Sequence, residues 1–155
     1  MRGRTGALTL VLACSAALGC KSPDARALGA YIDTNTALSQ VDLELTVARC
    51  ARVAMGSSWK AAEEDTRPMF QRYVAAGDAA VAAGDALKKS DPPGWVLDRQ
   101  TTARALGKAW SDRKDAFQRA CVERRGQGPE LDASRATMVH ARDEYVAALQ
   151  AMRRR

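Results

Sequence analysis

A chain of 155 residues has material for one domain with a modest core rather than two. Its 24 Lys and Arg against 18 Asp and Glu give a net charge of +6, which favours anionic over cationic partners. A single histidine argues against the commoner hydrolase triads and against multi-histidine metal centres.

Arg2 and Arg4 open the chain, an apolar stretch follows from Ala7 to Leu18, and Gly19-Cys20 lead into the polar Lys21-Ser22-Pro23-Asp24. That order of charge, apolar run and small residues reads as an export signal over residues 1–19. The run is too short to span a bilayer, which takes about 20 apolar residues. Ala17-Leu18-Gly19 puts small residues at the two positions that a general signal peptidase reads, and Cys20 comes immediately after them.

Ala17-Leu18-Gly19-Cys20 also resembles the lipobox of bacterial lipoproteins, in which the signal is cut just before a cysteine that then carries lipid. Ala17 stands where the usual pattern has Leu. A second such stretch, Val11-Leu12-Ala13-Cys14, would leave a very short apolar region. The resemblance implies lipid on Cys20 and attachment to a membrane on the periplasmic side of the cell envelope. Lys21, being other than Asp, implies the outer membrane. Cutting by the general peptidase would instead release a periplasmic or secreted protein, and a retained signal would act as an anchor.

Cysteine parity bears on this choice. Beyond residue 19 the chain holds Cys20, Cys50 and Cys121. Lipid on Cys20 leaves Cys50 and Cys121 as an even pair, free to form one disulfide in an oxidising compartment. The alternative is that both are buried thiols acting as small apolar groups.

Residues 20–155 read as a single all-α domain, because the strand-like alternation of Val, Ile and Thr is missing. A first segment, from about Ala25 to Met55, carries Tyr31, Leu38, Val41, Leu45 and Ala48 at helical spacing, with Met55 closing the stripe and Leu43, Val47, Cys50 and Ala54 widening it. Gly56 suits the left-handed position that ends a helix. Trp59 to Asp65 leaves room for a short helical turn, with Trp59 over the bundle end, before a second segment that Thr66 caps and Pro68 starts.

The second segment places Phe70, Val74, Gly77, Val81 and Gly84 on one face. It contains a near-exact heptad repeat, Val74-Ala75-Ala76-Gly77-Asp78-Ala79-Ala80 followed by Val81-Ala82-Ala83-Gly84-Asp85-Ala86-Leu87. Two glycines cost a helix about 1 kcal/mol each relative to Ala. Their recurrence predicts a thin helix pressed against a neighbour, or else a frayed one. After Ser90-Asp91-Pro92-Pro93-Gly94, where Asp91 is expected to cap, a third segment runs to Arg124 with Ala103, Leu106, Trp110, Phe117 and Cys121 inward. Gly126-Gln127-Gly128-Pro129 turns the chain into a fourth, with Leu131, Met138, Ala141, Tyr145, Leu149 and Met152 inward.

Four such segments predict an antiparallel four-helix bundle, up-down-up-down. In that topology the first and third helices run the same way, which brings Cys50 and Cys121 to one end. A three-helix arrangement with the second segment partly unfolded is the competitor.

Chemistry is sparse. Ser134 lies six residues before the lone His140 and no Gly-x-Ser-x-Gly elbow occurs, so no catalytic residue is assigned. His140 and Glu144 share a helical face and form the best, weak, metal candidate; solvated pairing explains them as well. Cys-x-x-Cys-His is absent, and a non-covalent haem would need His140 with a methionine such as Met55. Glu63-Glu64-Asp65 precede a helix start, where carboxylates are locally favoured.

Residues 95–155 hold 13 Lys and Arg against 8 Asp and Glu. Arg113, Arg119 and Arg142 are therefore candidates for an anionic ligand or lipid head groups, although long cationic side chains also keep an Ala-rich bundle soluble. No nucleotide loop is present, no cofactor is implied, and the export signal speaks against nucleic acid. The function expected is that of a non-catalytic, membrane-tethered envelope lipoprotein with a structural or protein-interaction role. The alternatives are a binding protein for an anionic ligand or polymer, and a metal or haem carrier.

Overall fold

Residues 23–153, the part that this computed structural model describes, form five helices: α1 (Pro23–Ala54), α2 (Trp59–Asp65), α3 (Arg67–Lys89), α4 (Gly94–Glu123) and α5 (Pro129–Ala151). The expected four-helix bundle is thereby corrected to an all-α fold of five helices. The signal over residues 1–19 and the lipidation of Cys20 lie outside the described residues.

The extra helix comes from a break at Thr66. Pro68 has no N–H to continue a helix from residue 59, and its ring would press on the carbonyl four residues earlier. Thr66 lies at φ −98° and ψ 13°, and its hydroxyl donates backwards to the Ala62 carbonyl at 2.8 Å. It makes no side-chain cap on α3, contrary to expectation. Ser58 caps α2 instead, its hydroxyl accepting from the Ala61 amide at 3.2 Å. Asp91 also fails to cap. It takes up φ 51° in the turn, and Pro93 precedes α4 without a side-chain bond.

Gly56 ends α1 as the sequence predicts, at φ 97°. The Gly56 amide donates to the Val53 carbonyl and the Ser57 amide to that of Arg52, which satisfies carbonyls that the last turn leaves open. At the end of α4 the same pair of bonds runs from Arg125 to Val122 and from Gly126 to Cys121. Arg125 there occupies the left-handed region at φ 50°. Gly126 follows because nothing larger fits: a Cβ on it would lie 2.5 Å from the Ala54 amide nitrogen.

Two hairpins carry the packing, α1 with α3 and α4 with α5, and α1 rests against both α4 and α5. α1 and α4 run in the same direction. At one pole Tyr31, Ile32, Leu87, Val96, Leu149 and Met152 meet; at the other, Cys50, Val53, Phe117, Cys121, Leu131 and Met138. The second pole is locked by the Cys50–Cys121 disulfide, with the Cα atoms 5.8 Å apart and 71 residues between the partners. Trp59 packs over that pole, and its indole N–H donates to Glu63 Oε1 at 3.2 Å.

The seam of α1 departs from the expected apolar stripe. Tyr31, Leu45 and Cys50 are buried as expected, but Met55 is exposed, and Ser39, Asp42 and Thr46 are buried. With Asn35 they recur at spacings of four, three and four, so one face of α1 presents a polar row. Asp42 accepts from Lys114 Nζ at 2.6 Å, with only 10 % and 15 % of the two side chains exposed. The Lys114 ammonium also lies 5.5 Å from the Trp110 ring centre. Asn35 Oδ1 accepts from the Tyr145 hydroxyl at 3.2 Å. Burial, helped by nearby Tyr31, pushes that phenol up to about 12, so it remains a protonated donor at neutral pH.

The glycine that permits close approach is Gly107 in α4, where a Cβ would meet Tyr145 Cε2 at 3.1 Å. Tyr145 stacks on Trp110 with ring centres 6.0 Å apart. The heptad glycines do not serve this purpose. A Cβ at Gly77 would meet nothing within 4 Å, and at Gly84 only Tyr31 at an ordinary 3.9 Å. α3 approaches α1 through Ala80 and Ala83, with Leu87 buried at its end, while Phe70, Val74 and Val81 face outward. Alanines and the terminal Leu87 thus form the contact, and the two valines of the repeat, Val74 and Val81, lie outside it.

Candidate functional site

α3 has one substantial neighbour among the long helices. It lies along α1 and makes no extended contact with α4 or α5, which leaves a cleft on each of its flanks. One cleft opens over Leu43 and Val47 of α1, between Met69 and Val139. The other lies between the C-terminal half of α3 and the start of α4 and has a volume of about 510 Å³. That size falls within the range of small-ligand sites.

Two polar side chains set the α3–α4 cleft apart. Tyr31 from α1 and Gln100 from α4 both line it, and each residue is only 8 % exposed. Neither the Tyr31 hydroxyl nor the Gln100 amide has a hydrogen-bond partner among the described residues. Their polar atoms are not among the side-chain atoms sealed from solvent, so in the cleft they are open to water or to a ligand. Local sequence explains their positions. Gln100 lies one helical turn beyond buried Val96 and one before buried Ala103, on the inner face of α4. Tyr31 precedes Ile32 at the first pole.

Val81, Leu87 and Leu97 supply apolar wall. The rim carries Lys88 and Arg104 and, against them, Asp85 and Asp91. Asp91 owes its place at the lip to the left-handed turn before Pro92. The arrangement offers hydrogen-bond donors and acceptors beside an apolar surface. That combination suits recognition of a ligand with a polar and an apolar part.

The residues singled out from the sequence fall elsewhere. Arg142 is largely enclosed, its Nη2 donating to Gln40 Oε1 at 2.7 Å and its Nη1 to Asp143 at 3.0 Å. Arg113 and Arg119 are exposed on α4, but six positions separate them by about 240° around the axis. The three guanidinium groups therefore share no face. His140 Nε2 lies 3.6 Å from Glu144 Oε1 in an exposed pair. No group of three or more His, Cys, Asp or Glu able to hold a metal ion occurs among the described residues. Met55 is exposed at the end of α1 and lines none of the described clefts with His140.

Sequence reasoning missed Tyr31 and Gln100 as site residues. Tyr31 was read only as part of the apolar stripe. Gln100 carried one usable signal, a polar residue at inward helical spacing between Val96 and Ala103. No helix among the described residues is long and apolar enough to cross a membrane. Compared with known proteins, the chain matches no family model, no curated protein and no solved structure.

Proposed function

We propose that this chain is a non-catalytic recognition module of the cell envelope, tethered to a membrane, most simply the outer membrane, by a lipid on Cys20. The observation that carries the recognition role is the α3–α4 cleft, in which the Tyr31 hydroxyl and the Gln100 amide stand open beside an apolar wall. Two further features support the location. The leader has the order of an export signal. The Cys50–Cys121 bridge uses the two cysteines that a lipidated Cys20 leaves over, and such bridges persist in oxidising compartments.

The tether has a geometric consequence. Cys20 precedes Pro23, where α1 begins, by three positions. Three residues reach at most about 10 Å. A lipid on Cys20 would hold the start of α1, the α3–α4 turn and the end of α5 toward the bilayer. Arg26, Lys88, Lys89 and Arg153 would then face anionic head groups, and the cleft would open near the membrane.

The test is Cys20-dependent incorporation of radiolabelled palmitate, combined with the intact mass of the processed protein. The expected result is labelled protein in the membrane fraction, with a mass that includes the acyl groups and lacks the two hydrogens lost to the disulfide. A soluble, unlabelled protein overturns the tether.

A further inference from the structure

We infer that the α3–α4 cleft takes a neutral amide attached to an apolar group, the chemistry of a short peptide segment with one apolar side chain. This rests on reading the chain as a recognition module and adds the class of partner. The argument starts at the cleft lining. A Gln amide offers a donor and an acceptor side by side, which a peptide group can meet with its own carbonyl and N–H. The Tyr31 hydroxyl can donate or accept beside it. Both residues are largely enclosed, yet their polar atoms stay open to the cleft and bond to no side chain or backbone group of the described fold.

The walls determine what the amide is attached to. Val81 and Leu97 are exposed apolar side chains, and the buried Leu87 near the end of α3 lines the same cleft. A ligand side chain laid against these three would remove apolar surface of both partners from water.

The rim determines the charge. The rim holds Lys88 and Arg104 together with Asp85 and Asp91, two of each sign, and none of the four makes an ion pair among the described residues. A carboxylate or an ammonium entering there would lose hydration and meet like charge as well as opposite charge. A neutral amide gives up less hydration and meets no like-charge repulsion. The Arg-centred anion site considered from the sequence would need convergent cations, which this rim does not supply.

The test uses the native processed protein, isotopically labelled, with binding followed by nuclear magnetic resonance at the Gln100 side-chain amide. Three probes separate the possibilities: N-acetyl-leucinamide, the blocked tripeptide N-acetyl-alanyl-leucyl-alaninamide, and 4-methylpentanoate, which keeps the apolar body but replaces the amide with a carboxylate. The expected result is saturable shifts with both amides, several-fold tighter binding of the tripeptide, and weak or no binding of the carboxylate. Q100L should weaken the amides at least tenfold while the protein stays folded and no less stable. L97A, which leaves the polar pair in place, should weaken them less.

Absence of shifts, tighter binding of 4-methylpentanoate, or unchanged binding in Q100L overturns the inference. Equal binding of the two amides overturns its peptide part. The tether stands or falls separately, because the acyl mass is read on the same sample without any probe.

Discussion

Toward α4 and α5, α1 is tied by the Cys50–Cys121 disulfide, the enclosed Asp42–Lys114 pair, the Tyr145–Asn35 bond and the bond from Arg142 to Gln40. Toward α3 it meets Ala80, Ala83 and Leu87, with one exposed ion pair at 3.8 Å between Arg72 and Glu44 and an Arg49 bond to Thr66 at the far end. Directional groups fix the first interface at one register and one distance. The second is mostly contact between small apolar groups, which resists sliding and opening less. The difference separates a frame, made of α1, α4 and α5, from an attached helix whose flanks remain open. The candidate site lies on one of those flanks, where regions of lower local stability tend to carry binding.

Breaking the covalent tie should have the largest effect. Closing a loop of 71 residues corresponds to about 4 kcal/mol in the chain-entropy account. Cys50→Ala with Cys121→Ala should therefore lower the unfolding free energy in urea by about that amount, and a reductant should then have no further effect. A loss below 1 kcal/mol would mean that the frame does not depend on its bridge.

Next comes the enclosed ion pair. Asp42→Ala leaves the Lys114 ammonium without its carboxylate and should cost about 3 kcal/mol. The double variant Asp42→Ala with Lys114→Met should recover most of that loss in the same urea titration. If the double variant is no better than the single, the carboxylate serves some purpose other than pairing.

Gly126→Ala tests the contact between the ends of α1 and α4. Its Cβ would collide with Ala54 in a left-handed backbone, for a loss of roughly 2 to 3 kcal/mol. Gly56→Ala is the control. It shares the positive φ but meets nothing within 4 Å, so it should cost only about 1 kcal/mol.

The attached helix should respond in the opposite direction. Gly77→Ala and Gly84→Ala meet open space and an ordinary contact, so each should stabilise by up to about 1 kcal/mol. Thermal unfolding would show it as a rise in Tm. A loss at either position would mean that α3 packs more closely than its surroundings suggest.

The same division separates what could be read in the sequence from what could not. The inner faces of α4 and α5 were legible: Ala103, Trp110, Phe117, Cys121, Leu131, Met138, Leu149 and Met152 are all buried as their spacing predicts. Each of those helices has neighbours enough to cover a full apolar stripe, so large apolar residues at helical period report burial correctly. α3 has one main neighbour, and there the rule failed. Phe70, Val74 and Val81 face outward, and alanines make the contact. The α1 seam failed for another reason. Asn35, Ser39, Asp42 and Thr46 find partners or shelter on helices far away in sequence, and residue type alone gives no sign of that. The cleft residues Tyr31 and Gln100 were hidden by the same ambiguity.

The amino-acid order alone determined that this chain is helical and where most of its turns fall, because these depend on local spacing and on Pro and Gly. Tertiary structure decided that α3 stands against a single long partner and that a polar row fills the seam of α1. Those outcomes depend on what each face meets across the fold. A side chain's surroundings are set by residues that may lie a hundred positions away.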